Sequence, residues 1–237
     1  MKLNLRIFIA ACLMLPFATL SSQKVPDQYC PELVTMANQG NPEAQYKLGY
    51  CYYIGGKVAQ NYDEAVKWYL KAANSGQTDA QRMLGIFYQE GFPVKKNLAE
   101  AVKWFRKAAE QGDDVAQYRL GEMYYYGDGV AKNYTEALKW LRKAAALNNA
   151  YARYYVGECY YYGRGVTRNY AEAVKLWEEG VKQGEAWSME GLARCYLHGR
   201  GVKKDYKKAV EYYRDSASLG FEEAERALEL LGESLDP

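Results

Sequence analysis

Small, apolar and polar positions recur along this chain with a period of 36 residues. Ala44, Ala80, Ala116 and Ala152 stand 36 apart, as do Leu48, Leu84, Leu120, Val156 and Leu192. The same register carries Tyr52, Tyr88, Tyr124, Tyr160 and Tyr196, then Gly55, Gly91, Gly127, Gly163 and Gly199, then Ala65, Ala101, Ala137, Ala173 and Ala209. A fixed period of this length, with no insertion, marks a repeat architecture in which each unit buries its apolar face on its neighbours.

Each repeat reads as two helices. In the first repeat, helix one spans about residues 42 to 54, because positions 44, 48, 51, 52 and 55 fall at helical spacing and are small or apolar. Gly55 and its equivalents end that helix, and Val58, Val94, Val130, Val166 and Val202 form an apolar plug in the following loop. Helix two opens on a capping box: Asn61 with Glu64, Asn97 with Glu100, Asn133 with Glu136, Asn169 with Glu172. Asp205 caps the fifth, where Lys208 leaves only half of the box. Bulky pairs such as Trp68-Tyr69 and Trp104-Phe105 anchor the second helices, and Gly40, Gly76, Gly112, Gly184 and Gly220 close them. Asn148 takes the closing position of repeat three, the second choice where a left-handed conformation is needed.

The repeats therefore run 41–76, 77–112, 113–148, 149–184 and 185–220. Residues 27–40 match a lone second helix and 221–231 a lone first helix, so segments 23–40 and 221–237 are expected to cap the two ends. Residues 1–22 carry Lys2 and Arg6 ahead of an apolar run from Ile7 to Leu20, the architecture of a secretory signal peptide. Cys12 lies in a loose lipoprotein-like box. Removing Lys2 and Arg6 from 31 basic residues leaves 29, equal to the 29 acidic ones. A neutral mature chain argues against nucleic acid or an anionic membrane as the main partner.

The pattern A-Q-Y-x-L-G, Y-x-x-G-x-G-V and N-Y-x-E-A-x-K-W-x-x-K-A-A, fullest from Ala116 to Ala145, resembles the Sel-one-like repeat family, relatives of tetratricopeptide repeats. The resemblance covers about residues 27–231. It implies an all-α fold, a right-handed αα-hairpin superhelix with first helices on the concave side. It also implies adaptor or scaffold work, with some bacterial members acting as immunity proteins against secreted toxins and others binding host proteins. Lys57 and Pro93 depart from the pattern, replacing the second loop glycine of repeats one and two.

The 24 tyrosines exceed what the repeat consensus needs. One per repeat, Tyr52 and its equivalents, reads as core. The row at i, i+4, i+7 on the opposite face reads as a partner-binding groove: Tyr46, Tyr50, Tyr53, Arg82, Gln89, Tyr118, Tyr125, Tyr154, Tyr161 and Arg194. Tyrosine and arginine are enriched where proteins recognise one another. Packing between first helices is the competing reading of the same row. On the groove reading, truncating Tyr50, Tyr125 and Tyr161 together weakens partner binding and leaves helicity intact. The lysine stripe Lys67, Lys103, Lys139 and Lys175 reads as solvated second-helix surface.

Cys30 lies ten residues before the Gly40 turn and Cys51 eleven after it, at matching heights of an antiparallel pair. An exported chain could join them as a disulfide. Cys159 and Cys195 read as core thiols. No CxxC or Cys/His cluster suggests a metal. His198 is the only histidine, and no nucleophile, base and orienting group assemble around it. No cofactor, metal or enzymatic activity is expected. The resulting expectation is an exported, bacterial periplasmic monomer that binds a protein or peptide, with secreted and envelope-anchored locations as alternatives. A periplasmic immunity protein and a host-directed virulence factor are narrower versions of that role.

Overall fold

The computed structural model describes residues 29–235. The apolar N-terminal run, Cys12 and the chain up to residue 28 lie outside the described residues. The chain divides into two compact units, one ending at Lys96 and one beginning at Asn97. The first holds α1 (Pro31–Asn38), α2 (Pro42–Ile54), α3 (Tyr62–Asn74) and α4 (Thr78–Glu90). The second holds α5 (Leu98–Glu110), α6 (Asp114–Tyr126), α7 (Tyr134–Ala146), α8 (Ala150–Tyr162), α9 (Tyr170–Lys182), α10 (Ala186–His198), α11 (Tyr206–Ser218) and α12 (Glu222–Leu231). The described residues contain twelve helices and no strand. Within each unit every helix packs against its sequence neighbours, and in the second unit α8 also touches the first helices α6 and α10.

Half of each expected capping box forms. The side chains of Asn61, Asn97, Asn133 and Asn169 each accept the N3 backbone N–H, at 3.1–3.2 Å. The reciprocal half is missing for a clear reason. The N–H of Asn61, Asn133 and Asn169 already donates to the carbonyl of Tyr52, Tyr124 and Tyr160, at 2.9 Å. The N3 glutamates turn outward instead, and Glu64, Glu100 and Glu136 pair with Lys67, Lys103 and Lys139. That accounts for three positions of the lysine stripe as solvent-screened i,i+3 pairs. Asn148 adopts φ 63°, the left-handed turn expected of it.

The loops of the second unit show why a second glycine recurs. Gly129, Gly165 and Gly201 have φ of 68°, 70° and 75°. A Cβ there would sit 2.4–2.7 Å from backbone atoms of Leu98, Tyr134 and Tyr170, so each loop lies flat on the start of the preceding second helix.

Alanines Ala65, Ala101, Ala137, Ala173 and Ala209 are fully buried and let the helices approach, while Tyr69, Phe87, Phe105 and Trp177 fill the space between them. Each such large side chain contributes on the order of 2–3 kcal/mol. A glutamine bolts successive hairpins together. The Nε2 of Gln45, Gln81 and Gln117 donates to the carbonyl of Ala37, Ala73 and Ala109 respectively, at 3.0–3.2 Å. The fourth repeat replaces this bolt. Arg153 stands at the glutamine position and forms a buried ion pair with Glu185, whose other oxygen accepts from Ser188 at 2.8 Å. Gly180 makes the room, since a Cβ there would collide with Ser188 and Glu185.

Candidate partner-binding face

The first helices carry the residues singled out from the sequence, and each unit presents its own set. In the first unit Tyr46, Tyr50, Tyr53, Arg82 and Gln89 are all half-buried. The Tyr46 ring lies 5.7 Å from Tyr69, and Tyr53 stacks on Phe87 at 5.4 Å and meets Tyr62 edge-on at 5.6 Å. Burial pushes the Tyr53 phenol up to about 12. Arg82 pairs with Asp79 one turn earlier. At the loop end of this face Ile54 and Phe92 are exposed, and Tyr62 packs against Phe92 at 4.8 Å.

In the second unit the row is more enclosed. Tyr118, Tyr125 and Tyr161 are buried, at 7%, 4% and 2% exposure, and Tyr154 is half-buried. The hydroxyls of Tyr118, Tyr125 and Tyr161 are engaged inside the protein. Tyr118 donates to Glu122 at 2.8 Å, Arg164 donates to Tyr125, and Arg200 donates to Tyr161 at 2.6 Å. Burial is the leading cause that raises the phenols of Tyr118, Tyr125, Tyr154 and Tyr161, so they stay protonated across the physiological range. Tyr125 and Tyr161 are thus more enclosed than Tyr160, whose ring is half-buried and whose hydroxyl accepts from Arg142 at 2.7 Å. The tyrosine expected to be pure core is the one nearer the surface, because α8 packs directly on α6 and α10 and covers the next position along.

The charged members form two clusters. Glu122 accepts from Tyr118, from Tyr155 at 3.3 Å and from Arg119 at 3.1 Å. Arg194 pairs with Glu158, lies 2.8 Å from Glu190, and donates to Tyr162 at 2.9 Å. One guanidinium thus serves two carboxylates in a shielded site. Glu190 is pushed up to about 7, with burial as the leading cause and Glu158 adding repulsion.

What remains outward on this face is its loop edge. Tyr126 and Tyr162 are exposed at 51% and 45%. Their hydroxyls are fixed, Tyr126 to Tyr155 at 3.0 Å and Tyr162 to Arg194. Fixed aromatic rings with one open face lose little entropy on contact, which is what recognition surfaces use. Among the described residues no group of three His, Cys, Asp or Glu side chains could hold a metal, and no helix is long and apolar enough to cross a membrane.

In the first unit Cys30 is the N-cap of α1, its sulfur accepting from the N–H of Leu33 at 3.4 Å, and it packs against the core cluster that contains Cys51. Cys30, Cys51, Cys159 and Cys195 are free thiols in the structure.

The repeats seen in sequence and structure match the Sel1 repeat at residues 42–77, 78–113, 114–149, 150–185 and 188–221. The chain belongs to the Sel1 repeat family, whose repeats mediate protein interactions. A Sel1 repeat protein from Oxalobacter formigenes is 38% identical, superposes with a TM-score of 0.78, and is matched over 87% of this chain and 85% of its own. A protective antigen of uropathogenic Escherichia coli with an SLR fold, c5321, is 34% identical with a TM-score of 0.75 over 86% of this chain. This chain spans 45% of the length of that antigen. No match was found among the curated proteins.

Proposed function

We propose that this protein is an exported interaction scaffold that holds a protein or peptide partner on the first-helix face of its repeats. The observation that carries the reading is the loop edge of that face in the second unit. Tyr126 and Tyr162 occupy equivalent positions of successive repeats, are exposed, and have anchored hydroxyls. Exposed tyrosines with held hydroxyls offer large contact area at low entropy cost, which supports this edge as the contact site. The wider row read from the sequence supports them: Tyr46, Tyr50, Tyr53, Arg82, Gln89, Tyr154 and Arg194 are partly accessible, while Tyr118, Tyr125 and Tyr161 act beneath as the packed bed. Export rests on the N-terminal basic and apolar pattern.

The test is affinity capture of the full chain, crosslinked in the cells that express it and read by mass spectrometry. One dominant protein partner, lost when Tyr126→Ala and Tyr162→Ala are combined, is expected. A partner retained by that double variant would move the site elsewhere on the molecule. Fractionation of the same cells checks export, and recovery in the cytosol would contradict it. The partner's identity separates an envelope adaptor from an immunity protein or a host-directed factor.

A further inference from the structure

Arg106 and Arg142 on the second helices donate to Tyr124 and Tyr160, and two loop arginines of the second unit reach instead to the row of the first-helix face. Arg164 and Arg200 occupy equivalent positions in successive loops, 36 residues apart. Each reaches back 39 residues to the previous first helix and donates one N–H to a buried tyrosine, Tyr125 and Tyr161 respectively. Each lies close to two or three aromatic rings. The Arg164 guanidinium lies 4.5 Å from the Tyr162 ring centre, 5.2 Å from Tyr125 and 5.5 Å from Tyr134. That of Arg200 lies 5.2 Å from Tyr161 and 5.7 Å from Tyr170.

What they lack is an anion. No ion pair to a carboxylate involves either residue among the described residues. Glu158, whose charge acts on Arg164, and Asp205, five residues beyond Arg200, are already committed. Glu158 pairs with Arg194, and Asp205 caps α11 by accepting from the N–H of Lys208 at 3.1 Å. Loops 127–133, 163–169 and 199–205 together carry six basic side chains and two acidic ones, Asp128 and Asp205. The cations Arg200, Lys204 and Arg194, after local desolvation, also hold the His198 imidazole below its usual range, as a positive local field requires. A guanidinium offers five donors in a rigid fork, of which the tyrosine uses one. The ring contacts fix the fork before anything binds, so little side-chain entropy is lost on contact.

We infer that Arg164 and Arg200, flanked by the exposed rings of Tyr126 and Tyr162, form a two-pronged clamp for an acidic segment of the protein partner, with one carboxylate on each fork. This inference rests on the reading of the face as a protein-binding surface. The spacing sets the segment's pattern. The arginines follow α8 and α10, which touch directly, and packed helix axes lie about 10 Å apart. A polyproline II segment advances about 3.1 Å per residue and returns to the same face every third residue, so the clamp fits acidic residues at i and i+3 of such a segment. The exposed tyrosines take the apolar side chains between or beside them. A charge-led surface of this kind gives salt-sensitive binding.

The probe is a fluorescent decapeptide pool with Glu fixed at i and i+3, titrated against the full chain. A matched pool with Gln at both positions and a single-stranded ten-nucleotide DNA are run alongside. The Glu pool is expected to bind at least tenfold tighter than the Gln pool, and less tightly as salt rises. Arg164→Gln with Arg200→Gln is expected to remove that preference while the helical circular-dichroism spectrum is kept, with a lowered melting temperature from the two lost hydrogen bonds to Tyr125 and Tyr161. Arg164→Lys with Arg200→Lys, which keeps charge and loses the fork, is expected to fall between. Equal binding of the two pools, or a preference that survives the Gln double variant, would overturn the clamp. Tighter binding of the DNA than of the Glu pool would overturn it in favour of a phosphate-backbone site. Failure here is separable from failure of the wider reading. A captured partner lost with the Tyr126/Tyr162 double variant and kept with the arginine double variant leaves the surface standing without its acidic specificity.

Discussion

The two units share one repeat pattern and use it differently. In the unit ending at Lys96 the first-helix face is aromatic and sparsely charged: Tyr46 leans on Tyr69, Tyr53 stacks on Phe87, and the loop edge shows Ile54 and Phe92. In the unit beginning at Asn97 the same positions hold Glu122, Glu158 and Arg194, and arginines from the loops fold back over the tyrosines. The hairpin scaffold tolerates both because the residues that build it lie elsewhere in the repeat. Alanines admit the neighbouring helix, glycines turn the loop, and asparagines cap. The face that varies is the one free to specify a partner.

The sharpest break in the comparison is the inter-hairpin bolt. Arg153→Ala strands Glu185 as a buried, uncompensated carboxylate, and is expected to destabilise the second unit by about 3–5 kcal/mol in urea denaturation. Gln45→Ala, the corresponding change in the first unit, loses the hydrogen bond to the Ala37 carbonyl and leaves that carbonyl buried, and should cost about 1–3 kcal/mol. Equal costs would mean that the ion pair is not the stronger bolt.

Next come the tyrosines. Tyr125→Ala and Tyr161→Ala each open a buried cavity and should each cost about 3 kcal/mol or more. Tyr126→Ala and Tyr162→Ala should cost less than about 1 kcal/mol each. The triple truncation of Tyr50, Tyr125 and Tyr161 is therefore a stability variant and not the clean binding probe the sequence suggests. Thermal melts of the two pairs decide between these assignments.

A smaller effect concerns pH. Glu190 faces Arg194, Glu158 and Glu223, and its carboxyl is raised to about 7 in the fold, with burial the leading cause. Its folded value lies above its unfolded one, so the folded state binds the proton more tightly. The stability it contributes is full below about pH 4.5 and is lost as pH rises through about 7. Wild type should lose up to about 3 kcal/mol over that window relative to Glu190→Gln. Parallel stability curves for the two proteins would contradict the assignment.

Smallest in effect on the face itself is the Cys30–Cys51 pair, which we expect to be joined in exported material. Non-reducing peptide mapping of protein taken from the cell envelope should find the bridge, and two free thiols there would remove it. Burial pushes the Cys159 and Cys195 thiols up to about 12, and both should resist alkylation until the protein unfolds.

Much of the fold was legible because it is periodic. The expected first helix at 42–54 is α2, the asparagine caps fall where read, and Asn148 takes the left-handed turn. The end helices were found with shifted starts: α1 begins at Pro31 because Cys30 serves as its cap. The face was less legible. Positions 52 and 53 differ by 100° on one helix, and only the packing of α6, α8 and α10 decides which the neighbour covers. The Arg153, Glu185, Ser188 and Gly180 cluster joins residues that look ordinary one by one. Its signal was their joint departure from the repeat consensus within one repeat step. The arginine–tyrosine contacts span 39 residues and carry no local mark beyond the repetition of Arg164 at Arg200.

The most direct test of the account is site-specific photocrosslinking in the expressing cells. A photoreactive phenylalanine analogue is placed at position 126 or 162, and in parallel at 139 or 175 on the exposed second-helix stripe. The account predicts one discrete crosslinked protein from positions 126 and 162 and none from 139 or 175. The same product from 139 and 175, with none from 126 and 162, would contradict it and place the partner on the opposite face of the repeats.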